Sequence, residues 1–168
     1  MKKQIRKNIF ETNSSSTHSI VVGNDGENIY DGLPGSLEFH GDEFGWEHKL
    51  YNDTQKKANY LFTSLIYTET PFEYEEKIKN ILAKWDIEAI FDEIQDKGGY
   101  YEIAGGYSYV DHGRNNRDLV EELCGDEVEL MNYLFSNGSY VETSNDNDDY
   151  KEWGEMPMNV LLEYYKGN

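Results

Sequence analysis

Between Asp53 and Trp85 the apolar residues recur at helical spacing, whereas on either side they come in short runs broken by glycine. That contrast limits the chain to folds that mix helices with short strands. Ala58, Leu61, Phe62, Leu65 and Ile66 predict an amphipathic helix over residues 53–68. Thr70 and Glu73 form a T-x-x-E capping pattern with Pro71 at the first helical position, which predicts a second helix through Trp85. Ile78, Ile81, Leu82 and Trp85 share one face of it. If the helix simply continued at about 100° per residue, Ile87, Ile90, Phe91 and Ile94 would fall on the opposite face. A break at Asp86, capping a third helix that Gly98 and Gly99 end, accounts for the change.

The flanking segments read as strands and turns. "SIVVG" at 19–23 predicts a short buried strand, followed by a "GNDGEN" turn and a return strand at residues 29–30. The glycine-rich residues 32–46 read as loop holding at most one strand. "YYEIAGGYSYV" predicts a hairpin about Gly105-Gly106. Two short helices are expected over 116–123 and 126–135, the latter with a D-x-x-E cap of Asp126 and Glu129 and closed by Asn137-Gly138. A strand at 140–143, the polar loop "SNDNDD" and a Pro157-initiated helix to about residue 165 follow. There is no internal repeat and no long linker. The fold class expected is a single compact α+β domain of 1–168, with several short helices packed on a small mixed or antiparallel sheet.

Charge is distributed unevenly. Residues 1–23 hold Lys2, Lys3, Arg6 and Lys7 against Glu11, a net of +3, and since the whole chain carries −18, residues 24–168 carry −21. A basic segment thus leads into an acidic body. Such a body repels nucleic acid and anionic membrane and is steered towards basic partners. Aromatic residues make up 14% of the chain, which sets it apart from an acidic disordered tail. No apolar run is long enough to span a bilayer and no secretory leader is evident, so a cytoplasmic location is expected. Cys124 is the single cysteine, which excludes an internal disulfide and reads as a small buried hydrophobe on a helix.

Known reaction motifs mostly fail. In "HGDEFGWEH", His40 and His48 stand eight apart in a glycine-rich loop, not on one helical face as a zincin needs. "NDNDDYKEWGE" puts Tyr150 and Lys151 where a calcium loop should bend. Neither a phosphate loop nor a nucleophile elbow is present. No metal and no cofactor is expected. The carboxylates of "EYEEK", Glu73, Glu75 and Glu76, lie on a capped helix where adjacent side chains point apart, which suits partner contact better than metal-dependent chemistry.

The stretch "IRKNIFETNSSSTHSI" at 5–20 is the strongest candidate for a site. Asn13, Ser14, Ser15 and Ser16 can bond neighbouring backbone groups in turns, and successive N–H groups there can form a nest for phosphate or carboxylate. Arg6 supplies a fixed positive charge, Glu11 can orient it, and His18 adds an imidazole that titrates near neutrality.

The run "RKNIFETNSSSTHSI", with "GDEFGW", "SYVDHG" and "LMNYLFSNGSYVETSNDND" further on, resembles segments of a group of uncharacterised proteins of tailed phages and prophages. The resemblance implies an origin, and that Glu11, Asn13, Ser14, Ser15, His18, His112 and the "NDND" loop belong to one functional surface. Small phage accessory proteins commonly act by binding. The leading expectation is therefore a phage-type acidic inhibitor or adaptor that docks on a basic host protein of defence or nucleic-acid handling, imitating the charge of DNA, with Asp146, Asp148, Asp149, Glu73, Glu75 and Glu76 at the contact. The alternative is a small enzyme or nucleotide- or phosphate-binding protein that uses Arg6, Glu11, Asn13, Ser14, Ser15, Ser16, His18 and His112. A structural accessory role ranks third. Direct nucleic-acid binding and membrane contact are not expected.

Overall fold

The computed structural model describes residues 16–24, 32–45, 47–111 and 113–145. In chain order they form β1 (Ser16–Val21), β2 (Ser36–Phe39), β3 (Glu43–Phe44), β4 (Lys49–Tyr51), α1 (Thr54–Leu65), α2 (Pro71–Ala83), β5 (Glu88–Phe91) and β6 (Ile94–Asp96). There follow β7 (Tyr101–Ile103), β8 (Tyr109–Val110), a 3-10 turn (Gly113–Asn116), α3 (Arg117–Gly125), α4 (Glu127–Phe135) and β9 (Tyr140–Asn145). The α+β class is as expected. The strands, however, form four small sheets in place of one: antiparallel β1-β9-β4 with β9 in the middle, parallel β2-β5, parallel β3-β8, and the β6-β7 hairpin. No described helix is long and apolar enough to cross a membrane.

Helix α1 is the hub. Asp53 caps it by accepting from the Lys56 N–H at 2.8 Å, and the helix packs against β2, β8, β9, α2, α3 and α4. The spacing predicts one apolar stripe, but all residues from Lys57 to Leu65 are buried, because elements cover the helix on every side. Its buried polar groups are therefore satisfied internally. Lys57 Nζ donates to the Ser136 and Ser139 carbonyls, Thr63 Oγ1 accepts from the Asp42 N–H, and Ser64 Oγ donates to the Tyr60 carbonyl. Around α1 the core is aromatic. Phe39 stacks on Phe91 with centroids 4.4 Å apart, and Phe44 meets Tyr60 and Tyr51 edge-on. The backbone approaches closely at Gly23, where a Cβ would meet Ser136 Oγ and stand 2.7 Å from the Gly138 carbonyl carbon.

Several expectations are corrected. Residues 87–94 are not a helix capped by Asp86. Helix α2 ends at Ala83, the Ile87 N–H returns to the Leu82 carbonyl and the Asp86 N–H to the Ala83 carbonyl, and Asp86 itself takes φ +57°. This is a Schellman stop with Asp86 in the left-handed position, and it turns the chain into β5. The hairpin, in turn, lies about Gly98-Gly99, whose φ values of +78° and +139° join β6 to β7. Beyond Gly105-Gly106, β8 pairs with β3 and not with β7. Thr70 also departs from its expected role. It begins α2 without a side-chain cap bond, and the Glu73 N–H bonds its carbonyl instead. Residues 36–39 and 43–44 form two strands in a region expected to hold at most one, whereas the expected strand at 29–30 and helix at 157–165 lie outside the described residues.

Candidate functional site

Of the residues singled out in the sequence, Arg6, Glu11, Asn13, Ser14, Ser15, His112, Asp146, Asp148 and Asp149 lie outside the described residues. Ser16 opens β1, opposite Asn145 on β9. His18, two residues on, enters a buried polar chain. Its Nε2 stands 3.3 Å from the Gly45 carbonyl and its Nδ1 2.9 Å from the Tyr60 hydroxyl, which also accepts from Asn116 Nδ2 at 2.9 Å. A carbonyl can only accept, so the neutral ring carries its proton on Nε2, and Nδ1 accepts from Tyr60. Burial pushes the Tyr60 phenol up, against the bond from Asn116. It stays a neutral donor. The chain of bonds pins β1 to α1 and to the 3-10 turn.

On α2, Glu73 is exposed, while Glu75 is largely covered and accepts from Lys79 Nζ at 2.6 Å. Glu76 accepts from the same ammonium at 3.4 Å. This face is therefore partly neutralised by its own lysine.

A denser polar group lies on the outward face of β2-β5. Both strands alternate, "SLEFH" at 36–40 and "EAIFD" at 88–92, with Leu37 and Phe39 turned into the core and Phe91 stacked on Phe39. The parallel register sets Ser36 beside Glu88 and Glu38 beside Ile90. Continued by one step of the alternation, His40 and Asp92 stand at the carboxyl ends of the two strands. His40 Nδ1 meets Asp92 Oδ1 at 3.0 Å, and its Nε2 meets Glu38 Oε2 at 2.8 Å. The second Asp92 oxygen accepts from the Gly41 N–H at 3.0 Å. The hydrogen bonds His40 donates to Asp92 and then to Glu38 raise its pKa. Beside them, Asp42 accepts from Lys56 Nζ at 2.6 Å. Burial works against its charge, but the bonds from Lys56, the Glu43 N–H and Asn59 outweigh it and hold its pKa down.

Chemically, this face offers carboxylates around a cationic ring. Both His40 nitrogens are engaged, so neither is open to act as a base. Burial pushes the Cys124 thiol up to about 12, which leaves it inert as a nucleophile. Among the described residues no group of His, Cys, Asp and Glu side chains is arranged to hold a metal ion. What the face suits is the recognition of cationic groups. Sequence reasoning considered His40 only as a zinc ligand and passed over Glu38, Glu88, Ile90 and Asp92; their signal was the matched polar–apolar alternation of two segments about fifty residues apart. Comparison with protein-family models, curated proteins and solved structures finds no match to the chain.

Proposed function

We propose that the protein acts by binding, as an acidic adaptor or inhibitor that docks on a basic surface of another protein. The observation that carries this reading is outward carboxylate with no internal counter-charge: Glu73, Glu88, Glu93 and Asp118 are exposed and form no ion pair among the described residues, on a chain of net charge −18. Exposed charge of one sign steers association towards the opposite sign. The resemblance of the N-terminal run to phage and prophage proteins supports a host protein of defence or nucleic-acid handling as the target, and imitation of DNA as the means. Capture from host lysate by the immobilised full chain, at low and at high salt, tests it. The expected result is a set of basic proteins released by high salt and displaced by duplex DNA. Captured proteins that are not basic, or that persist unchanged at high salt, would overturn the reading.

A further inference from the structure

The outward face of β2-β5 has a second property besides its charge. Ile90 is 43% exposed at its centre, with Glu38 directly across and Glu88 and Asp92 two residues to either side on its own strand. A lone surface isoleucine is ordinary. This one lies on a strand that pairs on one side only among the described residues. The Glu88 N–H bonds the Gly35 carbonyl and the Asp92 N–H bonds the Phe39 carbonyl, so residues 88, 90 and 92 turn their main chain towards β2. Ala89 and Phe91 turn theirs the other way, where no strand lies among the described residues. The far side of β2 is treated differently. There, Gln55 Nε2 donates to the Glu38 carbonyl, and the His40 N–H donates to Asn59 Oδ1. Helix α1 closes one edge of the sheet, and along the other, beside β5, no strand is paired among the described residues.

We propose that the open side of β5 is where the partner docks, and that its occupant is an extended basic segment of another protein which adds to the sheet as a strand. The proposal rests on the binding function above and specifies its surface. A strand laid along β5 sets alternate side chains beside Glu88, Ile90 and Asp92. The complementary pattern is basic, any, aliphatic, any, basic, with the aliphatic residue on Ile90 and a cationic head near Glu88. A second copy of this chain fits poorly, because its own β5 would bring a carboxylate-flanked strand against an identical one.

The test uses the full chain and a nine-residue probe peptide of repeating Lys-Thr-Val-Thr ending in Lys, with a control peptide of the same composition in which the lysines are clustered. Affinity is read by fluorescence anisotropy and amide protection by hydrogen exchange. The alternating peptide is expected to bind more tightly than the control and to protect Ala89 and Phe91. Glu88→Lys should weaken it about tenfold, whereas Glu121→Lys, the same charge change on the exposed face of α3, should weaken it less than about twofold. Ile90→Asp separates the face from bulk charge: a purely electrostatic association strengthens with the added carboxylate, and docking on β5 weakens. Ile90→Thr, which keeps the strand preference, should weaken it too. Equal effects of Glu88→Lys and Glu121→Lys, or no protection at 89 and 91, would overturn the surface while leaving the binding function to the lysate experiment. So would a failure of the peptide to bind at low salt, or protection that develops with protein concentration alone and marks a dimer.

Discussion

At the scale of single residues, His40 is the group whose protonation matters most to the described structure. It ties the end of β2 to the end of β5 through Asp92, and its side chain is 44% exposed. The bonds it donates to Asp92 and then to Glu38 raise its pKa above the ordinary 6.5, so the fold favours the charged ring. The stability this contributes is complete below about pH 6.5 and fades as pH rises through the higher folded value. Melting curves of the wild type and His40→Gln should therefore differ most near pH 6 and converge as pH rises past the raised folded value, with solvent screening keeping the difference small. A gap that widened with rising pH would mean that the neutral ring is the bound form. Ionisation also bears on recognition: as the ring loses its proton, the cation between Glu38 and Asp92 is lost.

Among the elements, the end of α2 makes the sharpest demand. Asp86 sits at φ +57°, a conformation that costs an L-residue roughly 1–2 kcal/mol and glycine almost nothing. Asp86→Gly should raise the unfolding free energy by about 0.5–1 kcal/mol in denaturant titration, part of the relief being offset by glycine's greater freedom in the unfolded chain. A loss of stability would show that the aspartate side chain matters more than its backbone. The same residue shows why the sequence was legible only in part. Asp is common both at helix starts and in left-handed turns, and Ile87, Ile90, Phe91 and Ile94 suit either a helix face or a short β-branched strand. What decides between them is β2, paired in register with β5 from about fifty residues earlier, and no local pattern reveals that. By contrast α1, α2, α3, α4, β1 and β9 were readable because caps and periodicity are local: Asp53, Pro71 and Asp126 all stand where helices begin. At the site, His18 stood out because it lies in an unusual run, whereas His40 was hidden by the two strands that must meet before it has partners.

For the whole molecule, the net charge of −18 opposes compaction. Its described ion pairs are mostly surface-exposed, such as Lys49 with Glu47 and Arg117 with Glu121, and pairs of that kind contribute little. Screening should therefore stabilise the fold. The melting temperature is expected to rise by a few degrees as the Debye length falls from about 30 Å at low salt to about 8 Å at physiological salt. A melting temperature that falls on adding salt would show that favourable ion pairs outweigh the repulsion. One further consequence comes from the position of β9 between β1 and β4. A ribosome makes both outer strands well before the middle one, and at about 5–20 residues per second the wait between β4 and β9 is on the order of ten seconds. For that time the nascent chain carries two strands with nothing to pair on. The polar opening of β1, "STHS", makes it a poor template for a neighbouring nascent chain.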